Sequence, residues 1–181
     1  DTAIVNVDFA KIPSFIENVT YADGVQALPD WISALLHDSA ARYSSLLGVN
    51  KSFDYSFPDN FPTYRTDADK VGVSFEQLNV NSIANVANAF DYVAGILNLD
   101  FTEVENSNQI NTITVWIADL EDGVGGSARA PRIEFSASDI ILDTYYKDVE
   151  EQEGSAHVFM HELGHALGLK HPFSAPGATG G

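Results

Sequence analysis

Cysteine is missing from all 181 residues, so no disulfide can form. That absence is compatible with both the cytosol and the exterior, because disulfide-free proteins are also exported. Cations are scarce as well: nine Lys+Arg stand against 26 Asp+Glu, a formal net charge of −17. A surface of that sign repels phosphate backbones and anionic lipid at long range, which argues against nucleic acid and membrane as partners. No apolar run approaches the ~18–20 residues that a bilayer span needs. What is present suits a folded domain. The sequence is 45% hydrophobic and 11% aromatic, enough to exclude intrinsic disorder despite the charge. A chain of this length buries about 70% of its unfolded surface and needs no cross-link. At roughly 150 residues per domain it reads as one domain.

The chain opens at Asp1, and its first apolar stretch, Ala3 to Ile12, is broken by Asn6, Asp8 and Lys11. That is not the basic-then-apolar pattern of a signal peptide. A mature, processed start and an arbitrary cut in a longer sequence are both open readings. Phe173–Gly181 has the composition of a loop, with no packed element after it.

Residues 30–47 read as a helix: Asp30 as cap, Trp31, Leu35, Ala41 and Leu46 near one face, Gly48 at its end. Phe53–Phe57 alternates apolar and polar before Pro58 and reads as a strand, and Pro58–Lys70 as a loop. The clearest helix follows, with Ile83, Val86, Ala87, Phe90, Val93, Ala94 and Leu97 on one stripe and Ser82 as candidate cap. Phe101–Val104 and the β-branched Thr112–Ala118 read as strands. The Gly-rich segment Asp119–Pro131 has room for an irregular edge strand, Ile133–Ser136 reads as a further strand, and a helix runs from Ser155 to Leu167. This order predicts an α/β sandwich with mixed strand pairing. From Asp139 to Glu153, six acids (Asp139, Asp143, Asp148, Glu150, Glu151, Glu153) face Lys147 alone. The segment reads as a solvated loop leading into a helix N-terminus that welcomes acids. A structural calcium loop is the sharper alternative, although the ordered ligand spacing of an EF-hand is lacking.

His161-Glu162-Leu163-Gly164-His165-Ala166-Leu167-Gly168-Leu169-Lys170-His171 reads H-E-x-x-H-x-x-G-x-x-H. Histidines at i and i+4 lie about 6 Å apart along a helix and only ~40° apart in rotation, so both rings can reach one ion. Glu162, one residue on, points nearby without joining the pair and can take a proton from metal-held water. Gly168 can adopt the left-handed conformation that ends a helix, letting His171 return as third ligand. Three imidazoles leave a fourth position open, as in catalytic rather than structural zinc sites. An amphipathic helix with exposed histidines would account for a bare H-E-x-x-H. It does not account for three of the chain's five histidines falling in this stretch with Glu and Gly in place. His157 lies ~12 Å up the axis from His165 at 1.5 Å per residue, too far to share that ion, and reads as a surface or supporting residue. His37 reads as structural. Around Asp122–Pro131, glycine and small side chains leave room for another backbone to add as a strand. A flexible loop explains the same composition.

The extended motif resembles the metzincin endopeptidases, and Pro172 after His171 resembles the secreted serralysins among them. Tyr55-Ser-Phe57 looks like that family's first strand. Ala87–Val104 is similar to its long helix and Asn-x-x-Phe strand start, here Asn98-Leu-Asp-Phe101, and Val124-Gly-Gly126 to its Gly-Gly edge-strand start. The resemblance covers roughly residues 50–172. It implies a mixed twisted sheet with an antiparallel edge strand, packed on two long helices, one carrying the motif. It further implies His161, His165 and His171 as zinc ligands, Glu162 as catalytic base, and substrate aligned along Gly125, Gly126, Ser127, Ala128, Arg129 and Ala130. The family's methionine turn and calcium-binding repeats have no counterpart, since the only methionine is Met160. The expectation is therefore that residues 1–181 are the N-terminal part of a catalytic domain, through the third ligand. That domain would belong to a secreted, extracellular zinc endopeptidase acting on proteins or peptides, with a companion chain carrying the methionine turn as a candidate partner. The alternative is a non-catalytic zinc-binding or partner-binding fragment.

Overall fold

The computed structural model describes residues 35, 52–62, 74–105, 112–129, 138–148 and 154–171, all within the compact unit Ala34–Gly181. The helix expected over 30–47, apart from Leu35, the strand expected at Ile133–Ser136, and His37 and Ala130 lie outside them. No helix among the described residues is long and apolar enough to cross a membrane.

Among the described residues five strands form one sheet: β1 (Ser52–Ser56), β2 (Asp100–Glu103), β3 (Thr112–Ala118), β4 (Gly126–Ala128) and β5 (Ser138–Asp143). Their order is β2-β1-β3-β5-β4. All neighbours run parallel except β4, which pairs antiparallel with β5 at one edge. β3 is buried along its whole length, as expected for a central parallel strand covered on both faces. The mixed sheet with an antiparallel edge strand agrees with expectation.

Among the described residues two helices cover one face, α1 (Val80–Leu97) and α2 (Ser155–Ala166). Val86, Phe90 and Val93 of α1 and Phe159, Leu163 and Ala166 of α2 interlock with Tyr55, Ile113, Val115, Ile117, Ile140 and Leu142 in one buried cluster. Phe90 is its hub, stacked on Tyr55 at 4.3 Å and edge-on to Phe159 at 5.6 Å. On the opposite face Trp116, Ala118 and Ile141 pack against Phe61, Phe75 and Leu120.

Two readings are corrected. The cap of α1 is Asn79, whose side chain accepts from the Ser82 N–H at 2.8 Å. Ser82 instead lies buried inside the first turn, its hydroxyl donating to the Lys147 carbonyl. The acid-rich segment is not a solvated loop at its start: Ser138–Asp143 is strand β5, followed by a 3-10 turn, Thr144–Tyr146. Asp139 is only 1% exposed and accepts a hydrogen bond from the Thr114 hydroxyl of β3. Asp143 accepts from the N–H groups of Leu120 and Tyr145, capping the turn. These two carboxylates are tied to their own sheet and turn, and Glu150, Glu151 and Glu153 lie outside the described residues.

Candidate active site

One glycine shapes the end of α2. Gly168 has φ +100°, a left-handed conformation that costs a glycine nothing. Its N–H donates to the His165 carbonyl and the Leu169 N–H to the Gly164 carbonyl, both at 2.9 Å. This pair of bonds is the Schellman closure of a helix. The reversal lets the Leu169 carbonyl accept a hydrogen bond from His165 Nδ1 at 2.8 Å, and it returns His171 to the helix. A carbonyl can only accept, so the His165 proton sits on Nδ1 and its Nε2 presents a lone pair outward.

The three Nε2 atoms of His161, His165 and His171 converge: 3.0 Å from His161 to each of the others, and 3.2 Å between His165 and His171. Nitrogens ~2.0–2.1 Å from one tetrahedral zinc lie about 3.3–3.4 Å apart, so the triangle fits zinc to within a few tenths of an ångström. Among the described residues this is the group of His, Cys, Asp or Glu side chains able to hold a metal ion. Burial first, and then the neighbouring His165, His171 and His157, holds His161 below the ordinary imidazole range. His161 is thereby favoured in the neutral form that can bind a metal.

Glu162 takes a different route. It is only 6% exposed, and its side chain lies under the edge strand. A Cβ at Gly126 would stand 2.8 Å from Glu162 Cγ, 3.0 Å from Val158 Cγ1 and 3.2 Å from Glu162 Cδ. The Ala128 N–H faces the carboxylate and favours its ionised form. Burial raises its proton affinity above that of an ordinary carboxyl, with His165 and the Ala128 N–H pulling the other way.

Between strand and helix opens a cleft of about 300 Å³. Gly123–Ala128 form one wall, and His157, Val158, His161, Glu162, His165 and His171 the other. Of the residues expected along a substrate strand, Gly125, Gly126, Ser127 and Ala128 line it and Arg129 does not. The Arg129 N–H donates to the Asp139 carbonyl, and its own carbonyl accepts from the Ser138 hydroxyl. His157 is exposed on the cleft, and Met160 packs against the core.

Three contacts escape sequence reasoning. They are the Leu169 carbonyl on His165, the Glu162 side chain under Gly126, and the ring of Tyr146, 2.9 Å from where a Gly125 Cβ would be. The first is open to inference, because a glycine turn after the second histidine throws the next carbonyl back over the helix end. The other two join positions distant in sequence and carry no local signal.

A helix bearing H-E-x-x-H beside an antiparallel edge strand, on a five-stranded mixed sheet compatible with a metzincin-like domain, defines the class: a zinc-dependent metallopeptidase. Residues 67–174, about three fifths of the chain, match the model of the peptidase M57 family, described as dual-action HEIGH metallo-peptidases, and the chain belongs to that family. Its own pentapeptide reads HELGH, with Leu163 in place of isoleucine. Among curated proteins, none matches this chain significantly.

Proposed function

We propose that the chain is a secreted endopeptidase that cleaves extended segments of extracellular proteins. In this reading His161, His165 and His171 hold the zinc and Glu162 is the general base. The observation that supports it best is the convergence of three Nε2 atoms within 3.2 Å, beside a buried carboxylate and a strand that is an edge among the described residues. Zinc, when bound, supplies Lewis acidity that polarises the scissile carbonyl and activates water. The protein does the rest. The Leu169 carbonyl fixes the ring of His165. Glu162, with its raised proton affinity, accepts the water's proton and returns it to the leaving amine. Substrate backbone adds antiparallel to β4, whose far side is already paired with β5. Export is proposed from the likeness to secreted serralysins, and a cysteine-free chain with net charge −17 is compatible with it. The narrower likeness to serralysins rests on Pro172 and on the Gly125-Gly126 start of the edge strand.

The deciding measurement is cleavage of a quenched-fluorescent peptide mixture together with metal analysis. The Glu162→Ala variant should retain one zinc per chain and lose about 10²–10⁴-fold in kcat. An active Glu162→Ala protein would remove the general-base role. A zinc-loaded natural chain that cleaves no peptide would remove the endopeptidase reading.

A further inference from the structure

The edge strand β4 presents its main chain in two directions. Arg129 donates to Asp139 and Gly125 accepts from Asp143, each at 2.9 Å, with Ser127 opposite Ile141 in the same register. In an antiparallel pair the partners that exchange bonds alternate. The main-chain groups of Gly125, Ser127 and Arg129 therefore belong to the ladder with β5. Those of Gly126 and Ala128 point out of the sheet, over the cleft. Glu162 is the group they meet. The Ala128 N–H faces its carboxylate and favours the ionised form, and its Cγ occupies the space a side chain at position 126 would need.

We propose that Gly126 and Ala128 are positioning residues for Glu162: the strand amide clamps the carboxylate beside the three histidines, across a gap that only glycine leaves open. The inference rests on the reading of Glu162 as base. A glutamate on a helix has three rotatable side-chain bonds. Helix α2 alone fixes only where the chain of carbons starts. The Ala128 N–H fixes where it ends, and the Gly126 cradle closes off the space between. A buried carboxylate without a donor would be costly, and this donor comes from the element that forms the opposite wall of the cleft. Glu162 already occupies the Ala128 N–H, so a peptide added to the edge pairs first with the main chain of Gly126.

The first test does not depend on turnover. Amide exchange and proton chemical shift at Ala128 are measured by NMR in the natural protein and in Glu162→Ala, each with and without one equivalent of zinc. The natural protein should show a downfield, protected Ala128 proton, and the variant should exchange it at least tenfold faster. Equal exchange in both would overturn the clamp even if peptidase activity is found. The second test is kinetic. Gly126→Ala should keep its zinc and a KM within about twofold while losing at least tenfold in kcat. Ala128→Pro removes only an N–H that faces away from β5, a replacement edge strands tolerate, and it should give the same kcat-selective loss. Unchanged kcat in either folded variant would overturn the proposal. Absence of activity in the natural protein would sink the endopeptidase reading and leave the exchange result standing.

Discussion

Helices α1 and α2 lie on the same face of the same sheet, and their ends show different construction. Helix α1 is closed at both ends by asparagine: the Asn79 side chain accepts from the Ser82 N–H, and Asn98 sits in the left-handed region at φ +52°. Helix α2 starts on Gly154 at φ +111° with no side-chain cap and ends on Gly168. Its buried face carries Glu162 among Phe159, Leu163 and Ala166, where α1 carries Val86, Phe90 and Val93. Helix α1 adds a side-chain cap at its start to its core packing. Helix α2 has no side-chain cap at its start, so its place depends on the core beneath it, on β4 above it, and on its closing turn. The helix with the side-chain cap braces the site, and the one without it carries the reactive groups.

Substitutions in the two helices should therefore separate stability from metal binding. The largest stability loss is expected for Phe90→Ala, about 3–5 kcal/mol in denaturant unfolding. The folded fraction should still bind zinc with unchanged affinity; a large fall in affinity would show that α1 does more than brace. Gly168→Ala forces alanine into the left-handed region at about 1–2 kcal/mol. It should also weaken zinc binding, measured by chelator competition, because His171 hangs on that turn. Normal affinity in this variant would mean the ligand set forms without the turn. Asn79→Ala should lose about 1 kcal/mol, mostly through the cap, with zinc content untouched. Gly95 is exposed in α1, and a Cβ added there would meet nothing within 4 Å, so Gly95→Ala should stabilise by about 0.5–1 kcal/mol. A destabilised Gly95→Ala would show that the outer face of α1 is packed against something.

The sequence discloses most where local chemistry and tertiary demand coincide. Thr112–Ala118 is β-branched and apolar throughout, and strand β3 has those bounds. The motif from His161 to His171 makes its own turn, and its glycine takes the conformation the spacing requires. Strand β5 is hard to see in the sequence because Asp139 and Asp143 bracket its apolar run and make the segment look solvated. Their charges are absorbed instead by Thr114 on the neighbouring strand and by the N–H groups of Leu120 and Tyr145. Asn79 and Ser82 are both good caps by residue type, and only the backbone turn decides between them. The bed of Glu162 under Gly126 is a contact between a strand and a helix far apart in the chain, which no periodicity announces.

The Schellman turn at Gly168 has a further consequence for how the site comes apart. The bonds that end the helix, the carbonyl that orients His165, and the return of His171 all lie within Gly164–His171. When that last turn frays, as helix ends do, one ligand leaves and another loses its orientation in a single event. Metal exchange would then be timed by the opening of a helix end, and a chelator would act as a clock for it.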